Sequence, residues 1–525
     1  MESKMIVGST GLTKSELASK IWETANKLRS KIKANEYKDY IIGFMFYKFL
    51  SDSEEQFLEK QGASKDDLKG ADADVISMIQ DELGYFIAYD DLFSTWVDKG
   101  INLGTSDVSD ALIRFNAQIK PEYKKVYENI FSTLSGGLSK FGENMGSLDK
   151  AVRDMVAMTG EIPATSDEYD VMGYIYEFLI FKFATAAKDD GAFYTPHEVS
   201  KLISMIVAHA VAKLGKDKVQ VYDPTCGSAG LLLTIGEAMV EVGIDRDNIV
   251  YFGQEKITET YNLSRMNLVM KGCKPAQIAV RNGDTLEDDW PYFDDNTPYT
   301  PVFVDAVVSN PPYSLRWETE GKENDVRFRG YGIAPKGKAD YAFLLHCLYH
   351  LKPDGIMGIV LPHGVLFRGG TEGVIRKQLI ENNQIETIIG LPANLFYNTP
   401  IPTLIMILRK NRANDDTILF IDASKEYKQE KKQNVLTDEN LDKIFQAVVD
   451  RKDIDKFAHL AQKQEIVDND YNLNIPRYVD TSEEEEEIII DDVRAEIAQI
   501  QKDEREVIAS INAMMAELGL GGIGL

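Results

Sequence analysis

The residues best suited to chemistry are Asn310-Pro311-Pro312-Tyr313, which follow the apolar run 302–309. That run is short and rich in β-branched residues, so it predicts a buried strand, and two successive prolines prevent the strand from continuing. The Asn310 amide oxygen and the Pro311 carbonyl can accept both N–H bonds of a planar NH2 group, while the Tyr313 ring stacks on its heterocycle. A lone Pro-Pro usually marks only a turn after a strand, so this interpretation depends on the neighbouring motifs.

Three acidic residues also follow apolar runs that predict strands. Asp223 follows 219–222, Glu255 follows 249–254, and Asp284 comes shortly after 278–281. Asp223 suits a cationic ligand, the Glu255 carboxylate can accept both hydroxyls of a ribose, and the Asp284 carboxylate can accept from an adenine amine. Each acid alone would most often cap a strand or a turn. Four polar ends on successive predicted strands, with Asn310 as the fourth, favour one shared ligand site.

A glycine turn joins the first of these strands to a helix. Residues Pro224 to Gly230 lead into a helical pattern from Leu231 to Val240. Gly227 and Gly230 let the backbone approach a ligand closely. A dinucleotide-binding turn would carry another glycine at the position of Thr225, so the sequence disfavours pyrophosphate binding by this turn.

Strand, turn and helix alternate through the middle of the chain, which predicts an α/β fold with a doubly wound sheet. Thr195 and Pro196, with Glu198 behind them, predict a helix that begins just before the first strand, with Pro196 at its first position. Further apolar runs complete a mixed sheet. These runs lie at 356–362, 385–391, 403–408 and 418–421.

The chain divides into four predicted segments: a helical region 1–165, an α/β domain 166–425, a connecting segment 426–480 and a helical tail 481–525. The first segment is interpreted as an interaction domain, with a purely structural cap as the alternative. Apolar residues of the tail recur at steps of three and four, which predicts a coiled-coil seam that needs a partner helix. Packing of the tail onto its own domain is the alternative. The seam residues are Ile490, Val493, Ile497, Ile500, Val507, Ile511, Met514 and Leu518.

Composition restricts the function. The chain has 525 residues, too many for one ordinary domain. Its 84 acidic and 58 basic residues give a formal net charge of -26. This charge argues against the chain alone gripping phosphate backbones, so either the substrate is not nucleic acid or a basic partner delivers it.

Cysteine and histidine spacing predicts neither a disulfide framework nor a metal site. Cys226, Cys273 and Cys347 form no paired spacing, and His346 and His350 lack a third ligand nearby. A surface or packing role is expected for the two histidines. The sequence contains no signal peptide and no apolar run of membrane length, so we expect a cytoplasmic protein without a membrane partner.

The segment 314–339 beside the Asn310 motif is polar, glycine-rich and locally basic. One interpretation is a lid over a flipped base or its strand. A disordered surface loop is an equally good interpretation. Its basic residues are Arg316, Lys322, Arg327, Arg329, Lys336 and Lys338.

These motifs carry a family resemblance. Residues 170–402 resemble the S-adenosylmethionine-dependent amino-methyltransferases that act on the exocyclic amine of adenine in DNA. Over nearly its whole length the chain resembles the modification subunit of type I restriction-modification systems. The matching motifs are Phe193-Tyr194-Thr195-Pro196, the turn from Asp223 to Gly230, Glu255, Asp284, and Asn310 to Tyr313. Ala229 departs from the pattern, because many relatives carry glycine there.

The resemblance implies a seven-stranded, Rossmann-like methyltransferase sheet with S-adenosylmethionine as the cofactor and no metal. It implies direct methyl transfer to adenine N6 after the base has been flipped out of the duplex. The implied catalytic residues are Asn310, Pro311, Pro312 and Tyr313. The implied cofactor-binding residues are Ala192, Phe193, Tyr194, Thr195, Pro196, His197, Asp223, Gly227, Ser228, Ala229, Gly230, Glu255 and Asp284.

The resemblance also implies partners. These are DNA, a specificity subunit that carries target recognition and binds the tail, a restriction subunit, and a second copy of the chain in the complex. Two other classes of function fit the same motif. One is a methyltransferase for protein glutamine or RNA guanine, and the other is a non-catalytic scaffold that retains the fold.

Overall fold

The computed structural model describes residues 6–7, 12–28, 37–140, 145–162, 175, 178–179, 182, 195–287, 301–396, 400–412, 416–431, 433–481 and 490–524. It divides into two compact units, Met1–Val479 and Asp480–Leu525. Among the described residues, no helix combines the length and the apolar character needed to cross a membrane.

The first part of the chain is helical, as the sequence predicts. Its helices are α1 Lys14–Leu28, α2 Tyr37–Lys60, α3 Ala73–Leu83, α4 Phe93–Lys99, α5 Thr105–Ala117, α6 Lys124–Tyr127, α7 Ser132–Lys140 and α8 Met145–Gly160, after a short hairpin of β1 Ile6–Val7 and β2 Leu12–Thr13. Local signals set the ends of α3, because the Asp72 side chain accepts from two backbone N–H groups and Gly84, with φ of 87°, follows its last residue. Aromatic rings fill the interior, where Tyr47 and Trp96 stack with centroids 4.5 Å apart.

A nine-stranded sheet forms the centre of the first unit over the described residues. Its strands are β3 Val219–Asp223, β4 Ile249–Glu255, β5 Ile278–Asn282, β6 Val304–Ser309, β7 Leu351–Pro362, β8 Ile385–Gly390, β9 Thr403–Arg409, β10 Ile418–Asp422 and β13 Ala458–Ala461, while β11 Lys428–Gln429 and β12 Asn434–Val435 form a separate hairpin. The order is β13-β10-β8-β9-β7-β6-β3-β4-β5. Strands β9 and β13 run antiparallel to their neighbours, and the other pairs are parallel, so the sheet is mixed as predicted.

Helices cover both faces of the sheet. They are α9 His197–Ala212, α10 Gly230–Glu241, α11 Thr258–Met270, α12 Asp340–Tyr349, α13 Thr371–Glu381, α14 Asp438–Asp450 and α15 Lys463–Asp468. All six residues of β6 are buried, so its side chains do not alternate between the core and solvent. Val308 packs in the core that contains residues of α9, α10 and α11, and Val307 packs in the core that contains residues of α12 and α13.

Helix α11 joins the helical region to the sheet. The Arg265 guanidinium is buried and donates to the backbone carbonyls of Val126, at 3.1 Å, and Glu128, at 2.9 Å. Its other terminal nitrogen donates to the Asn262 side chain at 2.6 Å. Because a buried cation is costly unless it is hydrogen-bonded, these contacts specify how the helical region docks on the sheet.

The fold class is confirmed, but two details of the prediction are wrong. The sheet has nine strands and not seven, because β10 and β13 extend it beyond β8. The segment 426–480 is more than a connection, since it contains α14 and β13. Strand β13 has only four residues, Ala-His-Leu-Ala, and its extended form comes from pairing with β10 and not from its own strand propensity.

The segment 314–339, here named the strap, packs against the face of the sheet that carries α12. Trp317 and Phe328 are buried with ring centroids 5.5 Å apart, and Arg327 is buried beside them. The backbone N–H of Trp317 donates to the Lys336 carbonyl at 3.0 Å. The interpretation as a disordered loop is therefore wrong, and the role as a lid stays a prediction.

The second unit consists mainly of one long helix, α16 Ile490–Glu517. The apolar residues predicted to form a seam are exposed, with exposed fractions between 37% at Ile511 and 74% at Leu518. The chain then folds back, since the Asn512 side chain accepts from the Ile523 N–H and donates to the Ile523 carbonyl. The helical tail is thus confirmed as a helix that presents an apolar stripe.

Candidate active site

Four neighbouring strands bring the predicted polar residues to one edge of the sheet. Strands β5, β4, β3 and β6 lie side by side and are parallel, so their carboxyl ends meet at the same edge. Strand β3 ends at Asp223 and β4 ends at Glu255, Asn310 follows β6 directly, and Asp284 comes two residues after β5. Groups that are far apart in sequence therefore face one region where a ligand can lie across the strand ends.

Asp223 is buried and held by its own turn. One carboxylate oxygen accepts the Thr225 backbone N–H at 2.9 Å, and the Thr225 hydroxyl contacts the Ser309 hydroxyl at 3.0 Å. Burial raises the pKa of Asp223 to about 7, partly opposed by the hydrogen bonds from Thr225. A carboxyl group in this state is well suited to a cationic ligand, which would favour its ionised form.

Glu255 ties the glycine turn to the end of β4. Its Oε2 accepts the Gly227 N–H at 3.1 Å, and its Oε1 accepts the Ile257 N–H at 2.8 Å. Burial raises the pKa of Glu255, and the backbone hydrogen bonds oppose the rise. Because a carboxylate has about four acceptor positions, these backbone contacts leave it able to accept from a further donor such as a ribose hydroxyl.

Ala229 adopts the left-handed backbone conformation that glycine normally occupies, with φ of 66°. Its side chain is fully buried. The turn is further held by the Asn267 side chain, which donates to the Ser228 carbonyl at 2.6 Å. The alanine thus keeps the path that glycine would favour, at a cost in strain that the surrounding packing and hydrogen bonds offset.

Asp284 is engaged by a lysine that the sequence analysis missed. Its Oδ2 accepts from the Lys256 ammonium at 2.8 Å and its Oδ1 accepts the Leu286 N–H at 3.1 Å. Lys256 follows Glu255 directly, and its side chain is 71% exposed. An ion pair with so exposed a partner is weak, so an adenine amine can compete for Asp284.

Both ends of the Asn310 amide are hydrogen-bonded. Its nitrogen donates to the Thr195 hydroxyl oxygen at 2.8 Å, and its oxygen accepts from the Tyr313 hydroxyl at 2.7 Å. Burial raises the pKa of Tyr313, with a further contribution from the negative charge of Asp340, so the phenol stays protonated. The amide oxygen proposed from sequence as an acceptor is thus already paired with a donor of the chain itself.

The structure changes the interpretation of Thr195 and Pro196. Helix α9 begins at His197, and Pro196 is its N-cap residue and not its first helical residue. Thr195 therefore does not cap the helix, and its hydroxyl contacts Asn310 instead. The predicted cofactor residues Ala192, Phe193 and Tyr194 lie outside the described residues.

Phe396 is an aromatic residue beside Tyr313 that the sequence analysis did not identify. It is buried, and its ring lies edge-to-face against Tyr313 with centroids 6.1 Å apart. It follows β8, the strand whose carboxyl end lies two positions beyond β7 in the sheet.

The two histidines have a packing role, as one sequence interpretation expected. The Arg327 guanidinium donates to His346 Nδ1 at 3.0 Å, so the ring proton lies on Nε2 and is donated to the Tyr222 hydroxyl, also at 3.0 Å. Burial lowers the pKa of His346 well below its usual value. Within the described ranges, no group of three or more His, Cys, Asp or Glu side chains is arranged to hold a metal ion.

A doubly wound mixed sheet with acids at three strand ends and Asn-Pro-Pro-Tyr at a fourth is the arrangement that the resemblance to S-adenosylmethionine-dependent methyltransferases implies. The model of the N-6 DNA methylase family matches residues 167–487, and that of the HsdM N-terminal domain matches residues 17–152. The chain therefore belongs to the N-6 DNA methylase family, among the methylase subunits of type I restriction enzymes.

Similar proteins extend over nearly the whole chain. The methylase subunit of the type I restriction enzyme MpnII from Mycoplasma pneumoniae is 34% identical over 97% of both chains. The MjaVIII methylase subunit from Methanocaldococcus jannaschii is 30% identical over 97% of this chain and 85% of its own. The crystal structure of a type I methyltransferase subunit from Streptococcus thermophilus is 41% identical, covers 89% of this chain and all of its own, and has a TM-score of 0.80.

Proposed function

We propose that this chain transfers a methyl group from S-adenosylmethionine to the N6 amine of adenine in DNA, as the modification subunit of a type I restriction-modification complex. The observation that carries the proposal is the Asn310 amide, held between Thr195 and Tyr313 at the strand edge that also carries Asp223 and Glu255. Membership of the N-6 DNA methylase family supports the choice of adenine in DNA over protein glutamine or RNA guanine.

In this proposal, the Asn310 oxygen and the Pro311 carbonyl accept the two N–H bonds of the adenine amine. The lone pair of that nitrogen is normally delocalised into the ring, and two fixed acceptors make it available for in-line attack. S-adenosylmethionine supplies the methyl group from its sulfonium. The chain contributes mainly orientation, because the acceptors are held before the base arrives.

The base brings a second donor to the Asn310 oxygen, which already accepts from the Tyr313 hydroxyl. The amide oxygen has two lone pairs, so the Tyr313 hydroxyl either shares the oxygen with the amine or gives up its hydrogen bond. Flipping the base out of the duplex costs roughly a few kcal/mol. Stacking on aromatic rings contributes about 1–3 kcal/mol per base, and Tyr313 would supply it in this proposal.

We assign the cofactor to the groups around the glycine turn. Glu255 would accept the ribose hydroxyls, Asp284 the adenine amine of the cofactor, and Asp223 a positive charge. Gly227, Ser228, Ala229 and Gly230 would approach the cofactor with their backbone. Ala192 to His197 would contact its methionine part, by resemblance to the family.

We assign partner binding to the two helical parts of the chain, 1–165 and 481–525. The exposed apolar stripe of α16 supports docking of a partner helix, which in a type I complex would belong to the specificity subunit. That subunit would bring the DNA target, and a restriction subunit and a second copy of this chain would complete the assembly. The name of the Mycoplasma pneumoniae relative, a type I methylase subunit, supports this assignment.

The test is a labelled methyl-transfer assay with the chain and its specificity subunit on DNA. Label should appear as N6-methyladenine, and Asn310→Ala should lower the transfer rate by at least about a hundredfold, because the fixed acceptor is lost. The variant should bind S-adenosylmethionine and assemble like the wild type. Label in protein glutamine or RNA, or unchanged transfer by Asn310→Ala, would contradict the proposal.

A further inference from the structure

The Asn310 amide is held by two hydroxyls. Its nitrogen donates to the Thr195 hydroxyl oxygen, and its oxygen accepts from the Tyr313 hydroxyl. Because a hydroxyl can donate or accept, these contacts fix where the amide lies and not which of its ends faces the base. Productive binding requires that the amide stays in this place when the base arrives.

Thr195 lies two residues before the start of a helix that packs on the sheet. It immediately precedes Pro196, whose carbonyl accepts the Ser200 N–H at 3.0 Å as α9 begins. Several side chains of α9, including Val199 and Ile203, are fully buried against the sheet. Tyr313 lies instead in the segment that must adjust when a base enters. Once the amine of the base competes for the amide oxygen, Thr195 is the contact that remains unchanged.

We propose that Thr195 is a positioning residue for the catalytic amide, and that its hydroxyl holds the Asn310 side chain in place at the end of β6 while the base competes for the contact with Tyr313. This inference rests on the proposed function and goes beyond the cofactor role that the family resemblance gives to Thr195. The two roles predict different measurements. A cofactor ligand changes cofactor affinity, whereas a positioning residue changes the rate of transfer at saturation.

The test compares Thr195→Val, which keeps the shape and removes the hydroxyl, with Thr195→Ser, which keeps the hydroxyl. Single-turnover methyl transfer is measured in the complex with the specificity subunit, at saturating cofactor and DNA. We expect Thr195→Val to lower the rate constant roughly tenfold to a hundredfold, with KM for DNA changed by less than about threefold. Thr195→Ser should restore the rate to within about threefold of the wild type.

Cofactor affinity is the second measurement, made by titration calorimetry on the full chain. The lower transfer rate of Thr195→Val should persist at cofactor concentrations far above the dissociation constant measured for that variant, which separates it from any loss of cofactor affinity. Thr133→Val is the matched control, because Thr133 is also half-buried and also accepts from an asparagine side chain, Asn262, at 3.3 Å in the helical region. This control should leave both the transfer rate and the cofactor affinity unchanged.

Three results would overturn the inference while the wild type still methylates adenine. They are full activity of Thr195→Val, a loss confined to cofactor affinity, and failure of Thr195→Ser to restore the rate. A wild-type complex that places no label on adenine would instead contradict the proposed function and this role with it. Thermal unfolding of all variants checks that the fold is intact.

Discussion

At the scale of single residues, burial and hydrogen bonds from nearby backbone groups determine the charge state of the side chains at the strand ends. Asp223 illustrates this, since its neighbour Thr225 supplies a backbone N–H while the sheet removes water from the carboxyl group. Burial raises the pKa of Asp223 to about 7, so this carboxyl group titrates close to neutral pH. Its charge state should therefore control ligand binding near neutral pH.

Cofactor affinity should depend on pH through Asp223. S-adenosylmethionine carries positive charge, and below about pH 7 the carboxyl group becomes protonated, so affinity should fall by up to about tenfold per pH unit. Asp223→Asn should bind more weakly at pH 8 and show no such slope, as measured by calorimetry from pH 5.5 to 8.5. A parallel slope in both proteins would refute the assignment.

The stability of the fold should also depend on pH through Asp223. Since the pKa of Asp223 in the folded protein lies above the ordinary 3.8, the free energy of unfolding should fall as pH rises from about 4 to about 7.

At the scale of elements, the strap is anchored by one buried cation. The Arg327 guanidinium donates hydrogen bonds to the Asp325 carboxylate, to the Thr285 carbonyl at 2.8 Å and to His346 Nδ1. Lys322 of the strap donates to the Leu286 carbonyl at 2.7 Å. Residues 285 and 286 directly follow Asp284. The strap therefore joins the carboxyl end of β6 to the segment that follows the proposed adenine-binding acid.

Removing this anchor should loosen the strap. Arg327→Leu leaves a half-buried carboxylate and two buried acceptors without their donor, which should lower the free energy of unfolding by about 2–4 kcal/mol. Hydrogen-deuterium exchange of residues 315–339 should become faster, and the thermal midpoint should fall. Arg329→Ala, an exposed position on the same strap, is the control and should change neither quantity measurably. Equal exchange in the two variants would show that Arg327 does not anchor the strap.

At the scale of the whole molecule, the net charge and the exposed apolar stripe of α16 both favour a complex in which another subunit binds the DNA. A net charge of -26 repels DNA, so the isolated chain lacks the electrostatic attraction that dominates DNA affinity. The apolar residues of α16 are exposed and suited to a partner helix. Both features support the proposal that another subunit delivers the base on which this chain acts.

DNA binding should accordingly depend on the tail. In about 0.15 M salt the chain alone should bind a target duplex at least about a hundredfold more weakly than the complex with the specificity subunit, as measured by fluorescence anisotropy. A chain that ends at Asp480 should fail to gain affinity when the specificity subunit is added, because the helix that docks on it is missing. Its cofactor affinity and thermal unfolding should match those of the full chain. Tight DNA binding by the chain alone, or by the truncated complex, would refute this organisation.

The sequence by itself determined the strands around the site and the residues at their ends. The signals are short β-branched runs, the end of the strand at Pro311 and Pro312, and the glycine turn. Each depends only on neighbouring residues, so it can be interpreted without the rest of the fold. Because strands of a parallel sheet end at a common edge, the sequence also predicted that Asp223, Glu255 and Asn310 would lie together, and the structure brings them to one edge.

Only the tertiary structure decided what surrounds them. The contact between Asn310 and Thr195 joins residues 115 positions apart, and the edge-to-face contact of Phe396 with Tyr313 also crosses the sheet. Strand β13 and the buried Arg327 likewise depend on which distant segments pack together. Local patterns do not encode such pairings, since propensity and periodicity act over a few residues whereas these contacts arise from the packing of the whole sheet.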